Sequence, residues 1–175
     1  MGSSDNDYVL LQSGMIYGIQ RKYSEARNQF TELIKNYTKS QYRAEAMYQR
    51  GQFEIEQGNY QAAIDAFTQL IREGGNTKFL PYAFIRRGAS AFNLKQYDKT
   101  VADYQAVIQQ FPNHPAAQEA LLPLQEALGL AGRSGEFDKS MDIIRKANPT
   151  NPGLEGLEYE TAKNVYFDQQ YQKAI

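Results

Sequence analysis

The 175-residue chain has no cysteine, no tryptophan and one histidine, His114. The first absence excludes disulfides, thiolate nucleophiles and cysteine-ligated metals. The scarcity of histidine excludes multi-histidine metal centres. His114 lies between Asn113 and Pro115 in a turn, where a solvated or helix-capping role is expected rather than a place in a catalytic triad. Charge of neither sign dominates: the formal net charge is -1, with 22% charged residues, so the basic footprint of a nucleic-acid binder is missing. No apolar run approaches the roughly 18–20 residues of a membrane span, and no signal-peptide pattern opens the chain. Glu54, Asp65 and Asp103 fall on amphipathic helical patterns near basic residues, which suits ion pairing or solvation rather than acid–base catalysis. Gly74-Gly75 and Gly129-x-x-Gly132 precede no strand-to-helix phosphate loop. The expectation is no enzyme, no cofactor and no metal.

What the chain does have is self-similarity. Residues 51–71 read as the end of one helix, a turn at Gly58-Asn59 and a second helix whose Tyr60, Ala63, Ile64, Phe67, Leu70 and Ile71 form one apolar face. Tyr60-x-x-Ala63-x-x-x-Phe67 has copies in Tyr23-x-x-Ala26-x-x-x-Phe30 and Tyr97-x-x-Thr100-x-x-x-Tyr104, with weaker ones from Phe137 and Tyr171. The leading aromatics are separated by 37, 37, 40 and 34 residues. A small or apolar residue stands twelve positions before each small one: Gly14 before Ala26, Gly51 before Ala63, Gly88 before Thr100, Leu128 before Ser140 and Ala162 before Ala174. A constant offset of that kind is what two antiparallel helices crossing at a close point require. A period near 34 marks an array of helical hairpins.

On these residues the chain resembles the tetratricopeptide repeat. Leu10, Gly14, Tyr17, Ala26 and Phe30 match its pattern in the first unit, and Phe84, Gly88, Tyr104 and Pro112 in the third. The resemblance implies an all-α, right-handed superhelix of about four and a half helix-turn-helix repeats, over approximately 7–40, 41–77, 78–114, 115–152 and a truncated 153–175. The helices are expected near 7–20, 23–35, 41–57, 60–72, 78–94, 97–110, 137–147 and 154–168. Pro81 is expected in a first turn, and Pro123 is expected to kink or restart the first helix of the fourth unit. Arg87 is expected to pair with Asp103, and Arg50 with Glu54 one turn later. The last unit carries only the opening of a second helix, so its end is expected to belong to a longer chain or to self-associate.

The resemblance further implies that the first helices line a concave groove. Its candidate residues are Leu11, Met15, Ile19, Tyr48, Gln52, Ile55, Ile85, Ala89, Phe92, Gln125, Gly129, Tyr159, Lys163 and Tyr166. The competing reading is that several of them, Leu11, Ile55 and Ile85 above all, pack between repeats. The family's clamp for chaperone C-terminal carboxylates would fall on Leu11, Met15, Gln49, Tyr82 and Arg86, of which only Arg86 has suitable chemistry. The implied function is non-enzymatic binding of a peptide or partner protein. Phe111-Pro112-Asn113-His114-Pro115 and its surroundings resemble bacterial envelope repeat proteins of outer-membrane assembly and the Tol-Pal system, which implies a periplasmic or envelope setting. An intracellular peptide-sensing module and a structural segment of a longer array are the other readings.

Overall fold

The computed structural model describes residues 6–149 together with Gly156, Tyr159 and Lys163. Three regular hairpins come first: α1 (Asn6–Ile19) with α2 (Tyr23–Asn36), α3 (Arg43–Glu56) with α4 (Tyr60–Glu73), and α5 (Leu80–Asn93) with α6 (Tyr97–Gln110). The fourth unit is broken into α7 (Pro115–Glu119) and α8 (Leu121–Leu130), which pair with α9 (Phe137–Ala147). All described secondary structure is helical. Pro81 lies at the start of α5, where its missing N–H has no helical partner to lose. Pro123 is the third residue of α8, so the chain restarts there rather than carrying an interior kink. His114 caps α7, its Nδ1 accepting from the Ala116 N–H at 3.1 Å.

Each hairpin turns in the same way. Arg21, Gly58, Lys95 and Gly132 have φ of 59°, 73°, 59° and 70° and lie 37 residues apart throughout. The next amide reaches back over the turn: Lys22 N–H to Tyr17 C=O, Asn59 to Glu54, Gln96 to Ala91 and Arg133 to Leu128, at 2.8–2.9 Å. This closure satisfies carbonyls that the helix end would otherwise leave bare. It also explains the odd spacing of 40 in the sequence. The turn itself keeps its period of 37, and a three-residue 3-10 turn, Ser134–Glu136, is inserted before Phe137. The sequence pattern sets Leu124 with Leu10, Met47 and Phe84 as the large first-helix residue; the turn register instead puts Leu121 there, and Leu124 with the arginines Arg50 and Arg87. Both leucines are buried.

Within each hairpin the glycine faces the ring of the second helix sixteen residues on. A Cβ on Gly14 would come within 2.5 Å of Phe30, on Gly51 within 2.5 Å of Phe67, and on Gly88 within 3.0 Å of Tyr104. The twelve-residue offset is also real: Thr100 donates its hydroxyl to the Gly88 carbonyl at 3.0 Å. In the fourth unit the sizes even out, with Leu128 and Ile144 both fully buried at the same sixteen-residue offset. The three-residue insertion moves the partner of Ile144 from the glycines' turn register at 125 to 128, where a large residue accompanies a side chain smaller than the aromatic, so the pair volume is roughly kept.

Between hairpins, the first core gathers Phe30, Leu33, Met47, Phe67 and Leu70, and the second Val101, Ile108, Leu121, Leu124, Leu128 and Ile144. Ile71 packs against both. Helix packing runs between neighbours along the chain, and α1 meets α3 as α3 meets α5. Gly18 admits Phe53 of the next repeat, whose ring would lie 2.0 Å from an added Cβ. Phe53 also sits over Phe30, with ring centroids 5.7 Å apart. The equivalent pair one repeat later is Ile55 and Ser90, with large and small exchanged. In α1 the positions that later repeats bury are open, and Val9 and Ile16 are exposed.

Candidate first-helix groove

The surface shared by the first helices is built by register. Position 48 of α3 corresponds to 11, 85 and 122, position 52 to 15, 89 and 126, and position 55 to 18, 92 and 129. Because α1, α3 and α5 adjoin, residues at one register make a continuous strip. Met15, Gln52, Ile55, Ile85, Ala89 and Phe92 are half-buried along it.

Several candidates serve packing as well. Leu11 is only 3% exposed and belongs to the first core, so it is a packing residue and not a groove wall. Tyr48 stacks on Phe79 at 5.2 Å and meets Phe67 edge-on at 5.8 Å, bridging the second and third repeats. Phe92 rests edge-on against Tyr97 at 5.5 Å. Met15 and Ile55 pack on the first core, Ile85 and Phe92 on the second. Ile19 is fully outside the strip at 80% exposure, because the register position is Gly18. Gln125 is half-buried at the register of the hairpin glycines rather than of the groove. Gly129 is exposed. Tyr159 and Lys163 are exposed. Tyr166 and the expected uncapped end lie outside the described residues.

Leu122 is the residue that sequence reasoning missed. It holds the register of Tyr48 and Ile85 and is exposed. The adjacent Pro123 drew attention to the break instead, and the three-residue insertion hid the register. The signal that finds it is the turn glycine, Gly132, counted in steps of 37.

The polar joints around the strip set its geometry. Arg87 pairs with Asp103 as its sequence context indicates, Nη2 to Oδ1 at 2.6 Å and Nε to Oδ2 at 3.0 Å, and donates from Nη1 to the Thr68 hydroxyl at 3.1 Å. Burial pushes the Asp103 carboxyl up, and Arg87 pulls it back. Burial, together with the Asp103 charge, raises the neighbouring Tyr104 hydroxyl to about 12. The expected Arg50–Glu54 pair does not form. Glu54 is held from the preceding repeat by Arg27, Nε to Oε1 at 2.7 Å and Nη2 to Oε2 at 2.9 Å, and accepts from Asn59 Nδ2 at 3.0 Å. Arg50 donates instead to Gln69 Oε1 at 2.8 Å. A bidentate fork from across the joint satisfies both oxygens, which a same-helix arginine one turn away cannot match.

Two family models, both described as tetratricopeptide repeat, match the chain, one over residues 11–76 and the other over 82–114, together more than half of it. No curated protein matches the chain closely enough to count as a relative.

Proposed function

The chain belongs to the tetratricopeptide-repeat family, whose repeats mediate protein–protein interactions, and we propose that it is a non-enzymatic scaffold that takes an extended peptide or partner segment along the first-helix strip. The observation that carries this reading is the continuity of the strip. Half-exposed apolar and amide side chains recur at one register on α1, α3 and α5, and exposed Leu122 extends that register onto α8. A peptide gains most from such a surface by seating apolar side chains at the spacing of the helices, with Gln52 available to its backbone. We further propose a bacterial envelope setting, supported by the sequence resemblance around 111–121.

A photoreactive amino acid at Gln52 or Ala89 is expected to trap a partner protein in cells of the source organism, while the same probe at exposed Ala102 of α6 traps none. Arginine at the other position, Ala89→Arg with the probe at Gln52 or Gln52→Arg with the probe at Ala89, should abolish the adduct with helicity unchanged. Adducts of equal yield from Ala102, or full binding by both arginine variants, would overturn the groove assignment. Fractionation of the same cells tests the setting, and recovery of the protein with cytosolic markers would overturn it.

A further inference from the structure

On the opposite flank of α3 from Tyr48, Gln52 and Ile55, a second surface has its own chemistry. An open cleft of about 470 Å³ lies between α2, α3 and α4, lined by Arg27, Arg50, Arg72, Thr31, Gln69 and Ala66 among others. It is the repeat-two counterpart of the buried ion pair in repeat three. At the positions 37 residues earlier, Arg50 stands for Arg87, Thr31 for Thr68, and Ala66 for Asp103. The arginine and the threonine are kept and the carboxylate is missing.

The consequences are visible at Arg50. Among the described residues it makes no ion pair, and its one hydrogen-bond partner is the neutral Gln69. Glu54 is occupied by Arg27, and Arg72 by Glu73. Burial presses on the Arg50 cation, with the Glu54 charge only partly offsetting it. The remaining lining carboxylate, Asp65, is exposed and accepts from Gln61. With Arg27 held by Glu54 and Arg72 by Glu73, Arg50 is the lining cation left without an ion-pair partner among the described residues. One guanidinium without an ion-pair partner suits a single carboxylate better than a phosphate dianion.

We propose that this cleft is a binding site for a carboxylate side chain, Asp or Glu, of a protein partner, which enters over Ala66 and takes beside Arg50 the place that Asp103 takes beside Arg87. The guanidinium fork then makes two parallel hydrogen bonds to the incoming carboxylate, as Arg87 makes to Asp103. The Ala66 methyl leaves the space that the Asp103 carboxyl fills in the next repeat. The site is separate from the strip on α1, α3 and α5, and neither needs the other.

The full chain is titrated with sodium acetate, sodium chloride and inorganic phosphate at matched ionic strength, following the Gln69 side-chain amide by NMR. A capped Gly-Glu-Gly peptide follows, with its Gly-Gln-Gly analogue as control. Acetate and the glutamate peptide are expected to give saturable shifts that chloride and the glutamine peptide do not. Arg50→Gln should weaken them at least tenfold. Ala66→Asp should do the same by supplying the carboxylate from within, while raising the melting temperature. In the reciprocal variant, Asp103→Ala, acetate should shift the Thr68 and Gly88 resonances and recover part of the lost stability. A response equal to that of chloride, tighter binding of phosphate than of acetate, failure of the glutamate peptide where acetate binds, or unchanged affinity in Arg50→Gln would each overturn the proposal. Arg50→Gln keeps the test decisive if Ala66→Asp fails to fold.

Discussion

At the residue scale the hairpin glycines separate two meanings of one residue type. A methyl on Gly51 meets the Phe67 ring at 2.5 Å inside a filled core. Gly51→Ala is therefore expected to cost about 1–3 kcal/mol in urea unfolding. Gly129, in α8, has nothing within 4 Å of an added Cβ, so Gly129→Ala should stabilise by about 0.5–1 kcal/mol through helix propensity alone. Equal effects of the two would refute the packing argument. Ala63, wholly buried, is expected to tolerate leucine no better than Gly51 tolerates alanine. Asp103→Ala strands a guanidinium that keeps 22% of its side chain in water. The loss expected from chemical denaturation is about 3 kcal/mol, the low end for breaking a buried pair. Surface carboxylates act differently. Glu73, held by Arg72, Gln69 and Arg43, and Glu136, held by Arg133 and Gln105, are each lowered from 4.5 to about 2. Their folded values lie below the unfolded ones, so the stability they contribute is present above about pH 4.5 and is lost as pH falls towards 2. Solvent screening keeps the amplitude small. A Glu73→Gln, Glu136→Gln double variant should show a flatter loss of stability across that window, and an unchanged slope would show that these pairs contribute nothing.

At the element scale the left-handed turn residue is the device that repeats. Gly58 and Gly132 adopt it freely, whereas Arg21 and Lys95 hold the same conformation with a Cβ, which costs roughly 1–2 kcal/mol for an L-residue. Part of that cost returns on substitution, because glycine also loosens the unfolded chain. Lys95→Gly is thus expected to stabilise by up to about 1 kcal/mol, and Gly58→Ala to destabilise by about 1 kcal/mol. Thermal melts that order these variants the other way would disprove the turn assignment. The fourth unit shows how an insertion is absorbed. Three residues form a 3-10 turn, Arg133 ties Asp98 to Glu136 across it, and the shift is close to one helical turn. A face shifted by one turn still points into the core, which is why Leu121 and Leu124 are both buried.

At the scale of the whole molecule, the principal contacts between described helices stay within a hairpin or join adjacent hairpins, and two cores share a boundary near Ile71. Stability in such an array is close to a sum of repeat terms and interface terms. Native-state hydrogen exchange on Gly51→Ala should therefore show reduced protection in α1–α4 and near-normal protection in α8 and α9. A uniform loss across all helices would mean that the array unfolds as one unit. The same modularity allows the two proposed surfaces to coexist, because the strip and the cleft use opposite flanks of α3.

The repeat and the helix pairs are legible in the sequence alone, because each rests on a fixed spacing along one helix or one hairpin, and the Arg87–Asp103 pair follows from the resemblance to the repeat family. Tyr97–Gln110 and Phe137–Ala147 have the bounds that their aromatic starts and turn signals indicate. Partner choice across a joint is not legible in that way. Glu54 has Arg50 four residues before it, and geometry along the helix favours that pair. The superhelical stacking instead brings Arg27 from twenty-seven residues away at bidentate range. Likewise the family resemblance sets Leu11 on the groove face, and only the folded structure shows it buried in the first core. The distinction is physical: local spacing determines which side chains share a face, while the angle at which one hairpin leans on the next decides which faces meet and which stay open to a partner.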